Sequence, residues 1–278
     1  VSAKVSARSR KSPERSSAED DLVQPPLAPS RSLSAGVLAM APLLAGLEWV
    51  LWSEPGAPRN AGVRVLDLAL QPLGERADLA RWVLLALAVF GAFAVLRLRG
   101  VELGRTLARI ALEGLAFALV LGPLLVLAAR VAERWIGAID VSWDPTAEPP
   151  TLAEVGLVAG AGAWEELLFR VGLYSLVYLI GLRFAAALGA GEGLARFAAE
   201  VGGLALSTLA FAAAHFEPVT GWLGLSERPF RLDSFAWLCL GGLALGLIFR
   251  WRGPGVAAWA HALFNVALWI GVDPDVIW

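Results

Sequence analysis

The chain is short of the residues that build soluble surfaces and thiolate sites. Among 278 residues there are one cysteine, two histidines, one methionine and two tyrosines. Cys239 alone closes no internal disulfide and supplies no thiolate set for zinc or an iron–sulfur cluster. Flanked by Leu238 and Leu240, it reads as a small buried hydrophobe. Charged residues make up 17% of the chain, against roughly a quarter in an ordinary soluble domain. The formal net charge of −2 leaves no overall basic footprint, which excludes nucleic acid as a partner. What fills the chain instead is Leu, Ala, Val and Gly. With 57% hydrophobic residues and a mean hydropathy of +0.63, membrane lipid must be the solvent for most of the surface.

Residues 1–32 read as a disordered cytoplasmic tail. Lys4, Arg8, Arg10, Lys11 and Arg15 precede Glu19, Asp20 and Asp21, and Ser and Pro take the place of apolar residues. The apolar run that follows lacks a small-residue cleavage site, so the segment does not read as a signal peptide. Seven apolar stretches follow, at 33–52, 80–97, 108–129, 152–182, 201–217, 234–250 and 254–272. Each comes close to the length needed to cross ~30 Å of hydrocarbon. The stretch 61–73 is too short to span and is expected to lie at the interface or on the bundle. The expected fold is all-α, a polytopic transmembrane helical bundle of about seven spans (six to eight). Residues 33–150 form its N-terminal helices and connectors, 151–272 a helical core, and 273–278 a C-terminal tail. Six Lys or Arg residues precede the first span, Arg97, Arg99 and Arg105 follow the second, and Arg250 and Arg252 follow the sixth. The positive-inside rule then places the N-terminus in the cytoplasm.

An ionised side chain at the bilayer centre costs roughly 2.5–3.5 kcal/mol on insertion scales. Glu48 and Glu113 lie near the ends of their spans, within snorkelling reach of water. Three other places carry polar groups in apolar surroundings. In Trp164-Glu165-Glu166-Leu167-Leu168-Phe169-Arg170, Glu166 and Arg170 stand four apart and can pair on one helical face. Glu165 points about 100° away and has no local partner, which makes it a candidate base. A structural ion pair with a spare carboxylate explains the segment equally well. In Phe211-Ala212-Ala213-Ala214-His215, the ring lies one turn before the imidazole and can buttress it. In His261-Ala262-Leu263-Phe264-Asn265, an imidazole and a carboxamide aim at one spot, where neutral donors can stabilise an oxyanion. Taken singly, either histidine could be no more than a hydrogen bond between helices. Together, costly groups of this variety on three spans mark a functional site.

These three motifs, in this order, resemble the CAAX protease and bacteriocin-processing family of intramembrane glutamic proteases, which includes a prenyl-protein endopeptidase. The family's signatures are Glu-Glu-x-x-x-Arg, Phe-x-x-x-His and His-x-x-x-Asn on separate helices. Here they are Glu165-Glu166 with Arg170, Phe211 with His215, and His261 with Asn265. The Gly241-Gly242…Gly246 run and Arg250-Trp251-Arg252-Gly253-Pro254 are also similar, so the likeness covers roughly 150–270. It implies that Glu165 activates water and that His215 holds or shares that water's proton. It further implies that His261 and Asn265 stabilise the oxyanion, while Glu166, Arg170 and Phe211 support the site. Residues 151–272 are then the catalytic core.

The activity so implied is hydrolysis of peptide bonds near the membrane, with a peptide or membrane protein as substrate. Processing or sorting of C-terminal anchors or leader peptides would fit. Two histidines and two glutamates could hold zinc, but the zincin His-Glu-x-x-His pattern is missing, and no cofactor is expected. The alternatives are an immunity or scaffold protein that binds a peptide without cleaving it, and an ion-coupled transporter. No internal repeat of the transporter kind is visible. The Ala-, Leu-, Gly- and Arg-rich usage suits a GC-rich bacterial genome, hence an expected place in the bacterial inner membrane.

Overall fold

Backbone surrounded by lipid must satisfy its own hydrogen bonds, which makes helices the outcome for long runs of Leu, Ala, Val and Gly. The computed structural model describes residues 28–59, 61–136, 149–221 and 228–269, and every regular element in them is helical. In chain order these are α1 (Leu33–Ser53), α2 (Ala61–Leu70), α3 (Ala77–Leu98), α4 (Leu103–Ile136) and α5 (Leu152–Glu165), then α6 (Ser175–Ala187), α7 (Glu192–Ala213), α8 (Glu217–Thr220), α9 (Leu232–Arg252) and α10 (Pro254–Trp269). A π-helical stretch, Glu166–Tyr174, joins α5 to α6. Six segments are long and apolar enough to cross a membrane: Leu33–Ser53, Gly62–Leu98, Leu103–Ala128, Leu152–Ala187, Glu192–Ala213 and Leu232–Arg252. Pro254–Leu268 is a shorter apolar helix.

That helix, α10, packs at the centre of the bundle. Val256, Ala257, Ala258, Ala260 and Ala262 of α10 are fully buried, with α1, α4, α5 and α9 packed around it. Glycines let its neighbours come close. Gly36 of α1 lies against Pro254 and Gly255, Gly114 of α4 lies against the Cβ of Trp259, and Gly160 of α5 lies against Leu47 and the Leu43 carbonyl of α1. Gly114→Val should destabilise the bundle by about 1–3 kcal/mol through overpacking. Thermal unfolding in detergent checks this; an unchanged midpoint would show that α4 and α10 separate at no cost.

Several boundaries differ from the sequence reading. Residues 28–32 belong to the bundle, not to the tail: Pro29–Arg31 form a 3₁₀ turn with Ser30 buried. Gly253, at φ +91°, packs its Cα on the Arg31 backbone, where a Cβ would collide. The 61–73 stretch packs on the bundle, one of its two expected places. α2 continues through a kink at Gly74 into α3, and it packs on α5, with Gly62 against Trp164. The fifth span starts at Glu192, nine residues before the predicted 201, and its helix ends at Ala213, so His215 follows the helix. The tail residues 1–27 and 273–278 lie outside the described residues.

Glu48 does not snorkel. It is 1% exposed and accepts a 2.8 Å hydrogen bond from Nε of Arg81, itself 3% exposed. Arg81 also reaches Asp67 at 2.5 Å and Asp78 at 2.9 Å. Three carboxylates around one guanidinium let α1, α2 and α3 share a buried charge that none could carry alone. Glu113 is met by Arg109 of its own helix at 2.8 Å and by Arg252 of α9. The start of α1, the first turns of α4 and the α9–α10 turn therefore gather arginines at one end of the bundle.

Candidate active site

α5 begins with a capping box. The Thr151 hydroxyl accepts from the Glu154 N–H, and the Glu154 carboxylate accepts from the Thr151 N–H. The box fixes where the helix starts, and Glu165, thirteen residues past Leu152, lies about 20 Å along the axis from that end. Glu165 is thus carried deep into the bundle, with 7% of its surface exposed.

The backbone then changes pitch. Glu166–Tyr174 is π-helical, a form that is uncommon and concentrated at functional sites. Glu166 and Arg170 nonetheless pair as their spacing predicts, at 3.2 Å, both fully buried. Arg170 is held on three sides. Its Nη2 donates to the Gly242 carbonyl of α9 at 2.9 Å, and its guanidinium lies 4.5 Å from the centre of the Phe211 ring. Gly242 permits this closeness, because a Cβ there would stand 2.9 Å from Phe211.

Glu165 has a partner that no local pattern could reveal. His261 of α10 stands between the two glutamates, with Nδ1 at 2.9 Å from Glu166 Oε1 and Nε2 at 3.6 Å from Glu165 Oε2. A carboxylate only accepts, so Nδ1 donates to Glu166. The contacts run in a row, Gly242 carbonyl, Arg170, Glu166, His261 and Glu165, the last step being 3.6 Å and too long for a hydrogen bond. The same fixing of one ring nitrogen to orient the other recurs wherever imidazoles do chemistry.

His215 completes the cluster. Its Nδ1 lies 2.8 Å from the Phe211 carbonyl, which can only accept, so Nδ1 carries the hydrogen and Nε2 turns away from α7. The Phe211 ring meets both imidazoles edge-on, at 4.9 Å from His215 and 5.7 Å from His261. Glu165 acts electrostatically on His215. Phe211 is therefore the common wall of Arg170 and both histidines, a wider part than buttressing His215 alone.

His261 and Asn265, expected to aim at one spot, take different partners. The Asn265 amide nitrogen donates to the Val158 carbonyl of α5 at 3.3 Å, while His261 serves the glutamates. Gly162 of α5, which the motifs do not include, lets that helix come close to both. A Cβ at that position would stand 3.2 Å from the His261 ring and from the Asn265 amide. The signal was there in Gly160-Ala161-Gly162, three residues ahead of Glu165, but small residues are common in any packed helix. Cys239 lies outside the cluster and is half-buried. Among the described residues, no three His, Cys, Asp or Glu side chains are grouped so as to hold a metal ion.

The family model for the type II CAAX prenyl endopeptidase Rce1-like proteins matches residues 148–267. No curated protein and no solved structure matched the chain. The matched region contains all three motifs and every residue of the cluster, and the apolar helices make the chain an integral membrane protein. Over residues 148–267, the chain is therefore similar to the type II CAAX prenyl endopeptidase Rce1-like family.

Proposed function

We propose that this chain hydrolyses peptide bonds within the membrane by a glutamate-activated water, without metal and without a covalent intermediate. The observation that carries the reading is the placement of His261 between Glu165 and Glu166, with His215 on the same wall. Glu165 takes a proton from water as the water oxygen attacks the scissile carbonyl carbon. His215, its Nδ1–H committed to the Phe211 carbonyl, offers Nε2 to the second water hydrogen and so aims the oxygen. The amide nitrogen of Asn265 has two hydrogens, one given to Val158 and one for the oxyanion, a contribution of roughly 3–4 kcal/mol when well placed. His261 Nε2 lies beside Glu165, where it can share the captured proton rather than serve the oxyanion. That proton then passes to the leaving nitrogen, the C–N bond breaks, and a carboxylate and an amine depart.

Glu166 and Arg170 orient His261, and Phe211 spaces the two rings. The substrate is a peptide or membrane protein segment presented among α5, α7, α9 and α10, such as a C-terminal anchor or a leader peptide. The arginines gathered at one end of the bundle support a cytoplasmic N-terminus.

Purified protein in liposomes, offered synthetic membrane-anchored peptides, is expected to release two fragments with no adduct. Added hydroxylamine should yield no hydroxamate product, since no acyl-enzyme forms; its appearance would replace direct water attack by a covalent path. Phenanthroline should leave the rate unchanged. Inhibition reversed by added zinc would overturn the metal-free reading, in which both nitrogens of His261 are already directed at carboxylates.

A further inference from the structure

The π-helical stretch that carries Glu166 and Arg170 ends at a residue outside the three motifs, Tyr174. All three side chains are buried. A π-helix closes its hydrogen bonds from i to i+5 and is rare beyond a single turn, so a stretch of nine residues needs support from its neighbours. Arg170 brings one support, through the Gly242 carbonyl and the Phe211 ring. Tyr174 brings a second. Its hydroxyl donates to Glu200 Oε1 of α7 at 3.1 Å, and the same carboxylate oxygen accepts from Nε of Arg250 on α9. Its ring stands edge-on to Phe249 of α9 at 5.4 Å and stacks on Tyr178 at 6.1 Å. Gly203 of α7 leaves room for it, since a Cβ there would stand 2.9 Å from the ring. Next in the chain, the Ser175 hydroxyl reaches back to the Arg170 carbonyl at 3.4 Å.

Both supports come from α7 and α9, which pack on each other. Gly242 and Arg250 lie about 12 Å apart along the axis of α9. Holding Arg170 and Tyr174 at two separate points of one helix pair fixes the angle between their side chains. Pitch sets that angle, because a turn closed at i+5 instead of i+4 rotates every later side chain relative to the earlier ones. A return to α pitch would swing Tyr174 away from Glu200, or Glu166 and Arg170 away from His261 and Gly242.

We propose that Tyr174 is a positioning residue for hydrolysis: tied to Glu200 and Arg250, it holds the π pitch that keeps Glu166 on His261 and His261 against Glu165. The assignment rests on the hydrolytic reading of the cluster and adds how its geometry is maintained from outside the motifs.

Tyr174→Phe removes one oxygen and keeps the ring among Phe249, Tyr178 and Gly203. With a membrane-anchored peptide in liposomes, it is expected to lower kcat about ten- to a hundredfold, the range for a displacement of about 1 Å, while KM stays within about twofold. The pH profile of kcat should shift too, since the base loses its fixed place opposite His261. Glu200→Gln keeps an acceptor for the phenol and should lose less activity. Glu200→Leu should match Tyr174→Phe, and the two together should be no worse than either. Hydrogen exchange of the 166–174 amides, measured on the full chain without substrate, should quicken in Tyr174→Phe. Should that variant fail to fold, Glu200→Leu, which leaves the ring whole, decides by the same readouts. Unmoved kcat and pH profile, even with quickened exchange, would make Tyr174 a structural support only and overturn the proposal. A fall in kcat with unchanged exchange across 166–174 would overturn it as well. Quickened exchange in a protein whose wild type cleaves no peptide would strike the hydrolytic reading and keep the tether.

Discussion

Glu165→Gln is expected to lower the turnover of a cleavable peptide by about a thousandfold, within the usual range for removal of a general base. The substitution keeps the shape of the side chain and its place opposite His261 Nε2, while taking away the group that accepts the proton of water. The fold should survive, because Glu166, not Glu165, is the carboxylate bound to Arg170. The thermal midpoint in detergent should therefore stay near that of wild type, and peptide affinity should change little. A variant that keeps more than a tenth of the wild-type rate would remove Glu165 from the role of base. A variant that unfolds would be followed by Glu165→Asp, which keeps the carboxylate and should retain measurable cleavage.

Arg170→Ala should cost about 3–5 kcal/mol of stability, the penalty for stranding a buried partner charge. Glu166 has no exposed surface from which to recruit water. The Gly242 carbonyl loses its donor and the Phe211 ring loses the cation on its face. Removing both charges should recover part of the loss, so that Glu166→Leu added to Arg170→Ala is milder than the sum of the two changes. Activity should not return in that double variant, since His261 would have nothing at Nδ1 to hold its ring. Strictly additive effects would mean that the two side chains act independently, contrary to the 3.2 Å pairing.

Both predictions depend on one element that periodicity could not reveal. The spacing of Glu166 and Arg170 was legible as an i, i+4 pair, and the pair forms, but on a π-helical backbone. Nothing in Leu167-Leu168-Phe169 announces the change of pitch. It is stabilised by contacts from α7 and α9, whose Phe211 ring and Gly242 carbonyl hold Arg170. The same limit explains Glu48. Its position near the end of a span suggested escape to water, and no rule of sequence pairs it with Arg81, thirty-three residues later.

Composition alone sufficed for the class of molecule. Too few charges and too many apolar runs leave only helices in lipid, and the order of three short motifs pointed to candidate site residues and to the family whose model matches residues 148–267. Sequence also bounded chemistry, because a chain with a single thiol and two imidazoles has few ways to activate water. Tertiary packing determined which partners those groups take. It brought α10 to the centre of the bundle, set His261 between two carboxylates and turned Asn265 onto the α5 backbone. Each of those outcomes depends on a contact between distant helices, and the energy of such a contact comes from shape and charge brought together in space, for which linear spacing is no substitute.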